Sequence, residues 1–160
     1  MKRITAFFLF LILTISVSCA EPFRVFDSAD LFTPEEEAAL EAAILNYRYN
    51  TRTDFCILTT DDFLGYTDDV EFAFQFFTRL GIGIGTPKNG AILYIDMYNR
   101  IPSFYRQLYR DNFISDEAVL SILDEIHPSL VSGYYAQAAF LAVKLSQEHH
   151  DAYWSALLEP

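Results

Sequence analysis

The stretch Leu80-Gly81-Ile82-Gly83-Ile84-Gly85-Thr86-Pro87-Lys88-Asn89-Gly90-Ala91-Ile92-Leu93-Tyr94-Ile95-Asp96 decides the fold. Helix-compatible sequence before it stops at Gly81, a Gly/Pro/Asn-rich loop follows, and an apolar run over 91–95 ends on an aspartate. That order predicts a helix, a loop and a buried strand, the second half of a βαβ unit. Gly81 reads as the helix C-cap and Asn89-Gly90 as a turn. The glycines at 81, 83 and 85 invite a phosphate-loop reading. Such a loop needs the order strand, glycine loop, helix, so that helix amides meet the phosphate. Here the order is reversed, and no nucleotide is expected.

Working outward, residues 23–26 predict a short first strand ending at Asp27. Thr33-Pro34-Glu35-Glu36 is a helix start in which Thr33 caps, Pro34 suits the first turn and Glu36 completes a capping box. Leu40, Ile44, Leu45 and Tyr47 give that helix an apolar face to about Tyr49. Residues 55–60 predict a buried strand ending at Asp61-Asp62. Residues 68–80 predict a second helix with Val70, Phe74, Phe77 and Leu80 on one face. Residues 101–109 fit either an edge strand or an irregular aromatic segment. Residues 115–126 predict a helix with Asp116 and Glu117 in its first turn, broken at Pro128. Residues 134–149 predict a closing helix, and Tyr153, Trp154, Leu157 and Leu158 an amphipathic tail. Strands alternating with helices imply an α/β three-layer sandwich, with a largely parallel central sheet and helices on both faces.

The N-terminus carries an export signal. Lys2 and Arg3 precede an apolar core over 4–17, and Ser18-Cys19-Ala20 offers small residues for cleavage. At ~1.5 Å per residue that core spans roughly 21 Å as a helix, short of the ~30 Å hydrocarbon layer. Cleavage after Ala20 and acylation of Cys19, which would leave a lipid anchor, both fit. The expected organisation is a leader over 1–20, an α/β domain over 21–150 and a short amphipathic tail over 151–160. Cys56 then remains as the domain's thiol, expected to be buried and inert within its apolar run. The formal charge is −11, and loss of Lys2 and Arg3 takes it to −11 − 2 = −13. Nucleic-acid phosphates are usually met by Lys and Arg, so this balance argues against a nucleic-acid partner.

Several motifs resemble one family. Val25-Phe26-Asp27-Ser28-Ala29-Asp30-Leu31-Phe32-Thr33-Pro34-Glu35-Glu36, the Lys88-Asn89-Gly90 that launches the strand, and Ile126-His127-Pro128-Ser129-Leu130-Val131-Ser132-Gly133-Tyr134-Tyr135 are similar to the TPM domain family. These are extracytoplasmic proteins typified by a thylakoid-lumen acid phosphatase. The resemblance covers 23–147 and implies an α/β fold outside the cytoplasm. Many members follow the Asn-Gly strand with an arginine, another strand and a Gly-Tyr-Gly-Leu-Glu-like turn. Arg100 is present, but Ile101-Pro102-Ser103-Phe104-Tyr105-Arg106-Gln107-Leu108 replaces that turn, so a site built from it does not carry over.

Ligand sites in open α/β sheets form beyond the carboxyl ends of the strands. Asp27, Asp61, Asp62 and Asp96 end the expected strands, with Asp30 close behind. Parallel strands would bring these carboxylates to one edge, a donor set suited to Ca²⁺ or Mg²⁺. Aspartates also end strands for turn chemistry alone. Tyr105, Arg106 and Tyr109, aromatic and basic in an acidic chain, form an expected partner surface. His149-His150 reads as a polar helix end. Two functions stay open. One is an accessory binding module at an envelope or membrane protein complex, holding a divalent cation. The other, implied by the resemblance, is a metal-assisted phosphatase acting on phosphomonoesters. In that case Asp27, Asp61 and Asp96 would hold the ion that polarises the phosphoryl oxygen and activates water, with Lys88 and Arg100 nearest to clamp phosphate.

Overall fold

The computed structural model describes residues 23–62, 68–109 and 112–159. The leader over 1–20, including Cys19, lies outside them. In chain order the elements are β1 (Val25–Asp27), α1 (Pro34–Thr51), β2 (Asp54–Thr60), α2 (Asp69–Arg79), β3 (Gly90–Asp96), β4 (Ile101–Gln107), α3 (Asp116–Val131) and α4 (Tyr135–Leu158). The strands form one four-stranded sheet in the order β1-β2-β3-β4. β1–β2 and β2–β3 pair parallel and β3–β4 antiparallel, so the α/β sheet is mixed. The segment left open in the sequence is therefore an edge strand. β2 and β3 are buried at every position, as their continuous apolar runs require.

Alternation along the strands divides the core. Phe55, Ile57, Leu93, Ile95 and Phe104 face a cluster supplied by Leu40, Ile44 and Tyr47 of α1, Ile122 and Ile126 of α3, and the alanines of α4. Cys56, Leu58, Ile92 and Tyr94 face the other way, against Ala73 and Phe77 of α2. α2 is rotated from the expected face: Phe72, Ala73, Phe76 and Phe77 point inward, while Val70 and Leu80 are exposed. The other helices depart less. Thr33 and Glu36 of α1 exchange both bonds of the capping box. α3 runs through Pro128 to Val131. The proline lies on the exposed face with Asp124, the residue whose carbonyl loses its partner, so water can serve that carbonyl. α4 continues without a break through the expected tail, which puts His149 and His150 inside the helix rather than at its end.

The glycine-rich loop has a steric logic. Gly81 sits at φ +62° just after α2, where it satisfies the expected cap. Asn89 is paired rather than turning: Ile84 and Asn89 exchange two backbone bonds of 2.9 Å, so the chain reverses over 85–88. A Cβ on Gly90 would lie 2.8 Å from the Phe77 ring, which is why the strand must begin on glycine. The same loop is tied to the first two strands by Asp54. This fully buried carboxylate accepts from Arg24 Nε at 2.9 and 3.0 Å and from the Gly83 amide at 2.9 Å. Arg48 Nε lies 2.9 Å from it, an ion pair without hydrogen-bond alignment. Removing one partner of such a buried set strands the others without compensation. We expect Asp54→Ala to lower unfolding free energy by about 3–5 kcal/mol, read as a shift of the denaturant midpoint.

Candidate functional site

The carboxyl end of β3 opens onto a cleft of about 440 Å³, walled by the β3–β4 hairpin on one side and the α3–α4 junction on the other. Asp96, Met97, Arg100 and Ile101 line it from the hairpin, and His127, Val131, Ser132, Gly133 and Tyr135 from the helices. Both walls are local chemistry of the sequence. Asp96 accepts from the Asn99 amide at 2.9 Å and from Asn99 Nδ2 at 2.7 Å, an aspartate-closed turn. Arg100 then takes φ +56°, which re-enters the chain into β4. On the other side Gly133 stands at φ +78°, with Gly133 N bonded to Leu130 O at 3.1 Å and Tyr134 N to Ser129 O at 2.8 Å. That is a glycine-terminated helix end, and it reverses α3 into α4. Arg100 is exposed, and among the described residues no carboxylate is ion-paired with it.

The strand-terminal aspartates share one edge but not one face. Asp27 has the parity of Val25 and accepts the Thr59 hydroxyl on the α1 face, while its other oxygen accepts from Phe32 N at 2.8 Å. Asp96 has the parity of Ile92 and Tyr94 and turns to the α2 face. Side chains alternate with period 2, so strands ending at positions of opposite parity aim their carboxylates apart. Asp30 is exposed in the turn after β1 at φ +53°, and Asp61 and Asp62 are exposed after β2. Among the described residues no three His, Cys, Asp or Glu side chains are grouped to hold a metal ion. Asp27 and Asp96 are thus engaged in loop closure, and the five aspartates do not form one cage.

A different neighbour meets Asp96. Asp69, in the first turn of α2, has its carboxyl pushed above the ordinary value, first by partial burial and then by the charge of Asp96, with the Ser103 hydroxyl pulling the other way. The same two carboxylates, after burial, push the Tyr94 hydroxyl up. Asp68-Asp69 read only as a helix start in the sequence. Nothing local to the sequence ties Asp69 to Asp96, because their approach depends on which face of α2 turns to the sheet. The expected partner surface is also largely engaged. Tyr105 packs on Phe74 and Phe77 at 5.7 Å each and bonds Gln107 at 3.1 Å. Arg106 binds the Ile114 carbonyl and pairs with Asp116 at 2.7 Å. Tyr109 is exposed, its amide held by Asn89 at 2.8 Å.

The fold and the cleft define a small α/β domain with a recess at the carboxyl end of its sheet. The TPM domain model matches residues 25–148, and the chain belongs to the TPM domain family. Among the solved structures that resemble it are three from bacteria. The N-terminal domain of a P. gingivalis protein shares 22% identity at a TM-score of 0.71, covering 83% of this chain and 85% of that one. A protein of the psychrophilic bacterium Bizionia argentinensis shares 19% at a TM-score of 0.66, covering 76% and 83%. The N-terminal domain of a Corynebacterium glutamicum protein shares 12% at 0.59, covering 84% and 83%. At these identities the likeness is one of fold. Among curated proteins no relative matches.

The Asp69–Asp96 pair sets a pH dependence. A carboxyl raised in the folded state binds more protons there than in the unfolded chain, so its contribution to stability is lost as pH rises. The window opens near the ordinary value of about 4 and closes above the raised midpoint. Carbon-detected NMR should find Asp69 titrating above the ordinary aspartate range, and Asp96→Asn should bring that midpoint down.

Proposed function

We propose that this TPM domain is an extracytoplasmic binding module that recognises an envelope or membrane protein partner through the cleft at the carboxyl end of β3. The observation that carries the reading is the rim of that cleft. Ile101, 48% exposed, and Val131, 73% exposed, line it beside Arg100, with which no described carboxylate is ion-paired, and Tyr134, 64% exposed, follows at the adjoining helix junction. Adjacent apolar and aromatic side chains with an arginine are the composition that protein interfaces favour. The export signal over 1–20 supports placement outside the cytoplasm, and Cys19 offers a lipid anchor there. No helix among the described residues is long and apolar enough to cross a membrane.

The competing reading, a metal-assisted phosphatase, needs an ion site and a phosphate clamp on the same strand ends. Asp27 and Asp96 already satisfy loop donors, which favours the binding reading. One experiment separates the two. A photo-crosslinker at Val131, introduced in the native host, should capture a discrete envelope protein, while one at the exposed Leu120 of α3 should not. Phosphomonoester hydrolysis by the same protein should stay at background with calcium or magnesium. Equal capture at both positions, or metal-dependent turnover, would reverse the assignment.

A divalent cation stays within the proposal only through Asp69 and Asp96, whose mutual repulsion an ion would relieve. At about 100 times the dissociation constant, binding adds roughly 2.7 kcal/mol of stability. Melts in calcium should then run several degrees above melts in chelator, and Asp69→Asn should abolish the gap. Superimposable wild-type melts would remove the cation.

A further inference from the structure

A second cavity, of about 670 Å³, lies at the other end of the sheet, below the amino ends of β2 and β3. It is lined from the end of α1, from the glycine-rich loop and from the last turns of α4. Although the chain has 22 acidic residues, none of the described ones lines this cavity. Among its described lining residues the formal charge is that of Arg52, which caps α1. The Arg52 guanidinium lies 5.4 Å from the Tyr49 ring centroid, and no described carboxylate is ion-paired with it. A cation stacked on an aromatic ring with its N–H fork unused is prepared for a planar anion. The neighbouring Asn50 amide adds a further donor.

The opposite wall is aromatic. The His150 ring meets Phe113 edge-on at 5.0 Å, and Trp154 stands 6.3 Å from the same imidazole. His150 Nδ1 lies 2.9 Å from the Asp151 carboxylate. With the proton on Nδ1 directed to Asp151, Nε2 is left as an acceptor. Two amides of the glycine-rich loop are already engaged. Gly83 N is held by Asp54 and Ile84 N by the Asn89 carbonyl, each at 2.9 Å. The aromatic wall favours a ring over an extended chain, and the single guanidinium fork suits a planar, singly charged carboxylate.

We propose that this cavity binds a small aryl carboxylate bearing a hydroxyl group. The carboxylate meets Arg52 and Asn50, the ring lies against Trp154 and Phe113, and the hydroxyl donates to His150 Nε2. The cavity's volume falls in the range of ligand sites, about 300–1,000 Å³. Trp154 is the chain's single tryptophan, so its indole N–H gives one resolved NMR signal as reporter. The probe is para-hydroxybenzoate titrated into isotope-labelled protein, with its uncharged amide and inorganic phosphate as parallel titrations. A saturable shift of the indole signal with the carboxylate is expected, and binding of the amide at least about tenfold weaker, ~1.4 kcal/mol. Arg52→Gln, at an exposed position, should weaken binding by the same factor with an unchanged melting temperature. Asn50→Asp, which sets a negative charge beside Arg52, should abolish it. The proposal is overturned by an indole signal that does not respond to the carboxylate, or by equal response to amide or phosphate. Undiminished binding in folded Asn50→Asp would overturn it equally.

Discussion

Asp54 holds together what the backbone alone would leave apart. Its carboxylate, without solvent exposure, joins a residue before β1, a residue in the last turn of α1 and the amide of Gly83 in the loop leading to β3. The network spans both crossovers of the parallel part of the sheet. The polar residue opens β2 at the point where both connections return, and the strand then runs apolar until Thr59. Glu41 of α1 completes the arrangement, taking the amides of Arg24 and Val25 at 2.7 and 2.8 Å. Strand β1 has three residues and gains little from its own ladder, so these charged contacts fix where it starts. A buried charge set of this kind stabilises less than its Coulomb energy suggests, because desolvation offsets much of the attraction.

Much of the architecture is legible in the chain because its punctuation is local. Thr33 and Glu36 announce α1, Gly81 ends α2, and two uninterrupted apolar runs declare the buried parallel strands. Each signal is settled by a few neighbouring residues. Errors arise where a residue's meaning depends on what crosses over it. The inward face of α2 is set by rings far away in sequence, Phe72 meeting Tyr94 and Phe76 meeting Phe26. Pro128 reads as a stop but lies on a wet face, where the missing bond costs little. Asp54 is invisible beforehand, since an aspartate before an apolar run reads as loop.

The candidate site divides in the same way. That ligand chemistry should sit at the carboxyl end of the strands follows from topology, and Asp96, Arg100 and His127 do line a cleft there. Which carboxylates share a face does not follow, because it turns on the parity of the last strand residue. One step along a strand reverses the direction of a side chain. Asp27 and Asp96 fall on opposite sides of the sheet, and Asp69, from a helix, is the one that approaches Asp96. The aromatic surplus of the second half is mostly interior: Phe104 packs on Phe55, Tyr105 on α2, and Phe113 on His150.

Cys56 lies in the middle of β2 with no solvent exposure, and burial pushes its thiol well above the ordinary value, reinforced by the Asp54 charge. The reactive thiolate is therefore withheld from any oxidant. The described domain has no second cysteine and owes none of its cohesion to a covalent cross-link. Its folded form is the same covalent object in a reducing or an oxidising compartment. Maturation then asks nothing of thiol-exchange machinery, and a change in ambient redox poise leaves the domain's stability where it was.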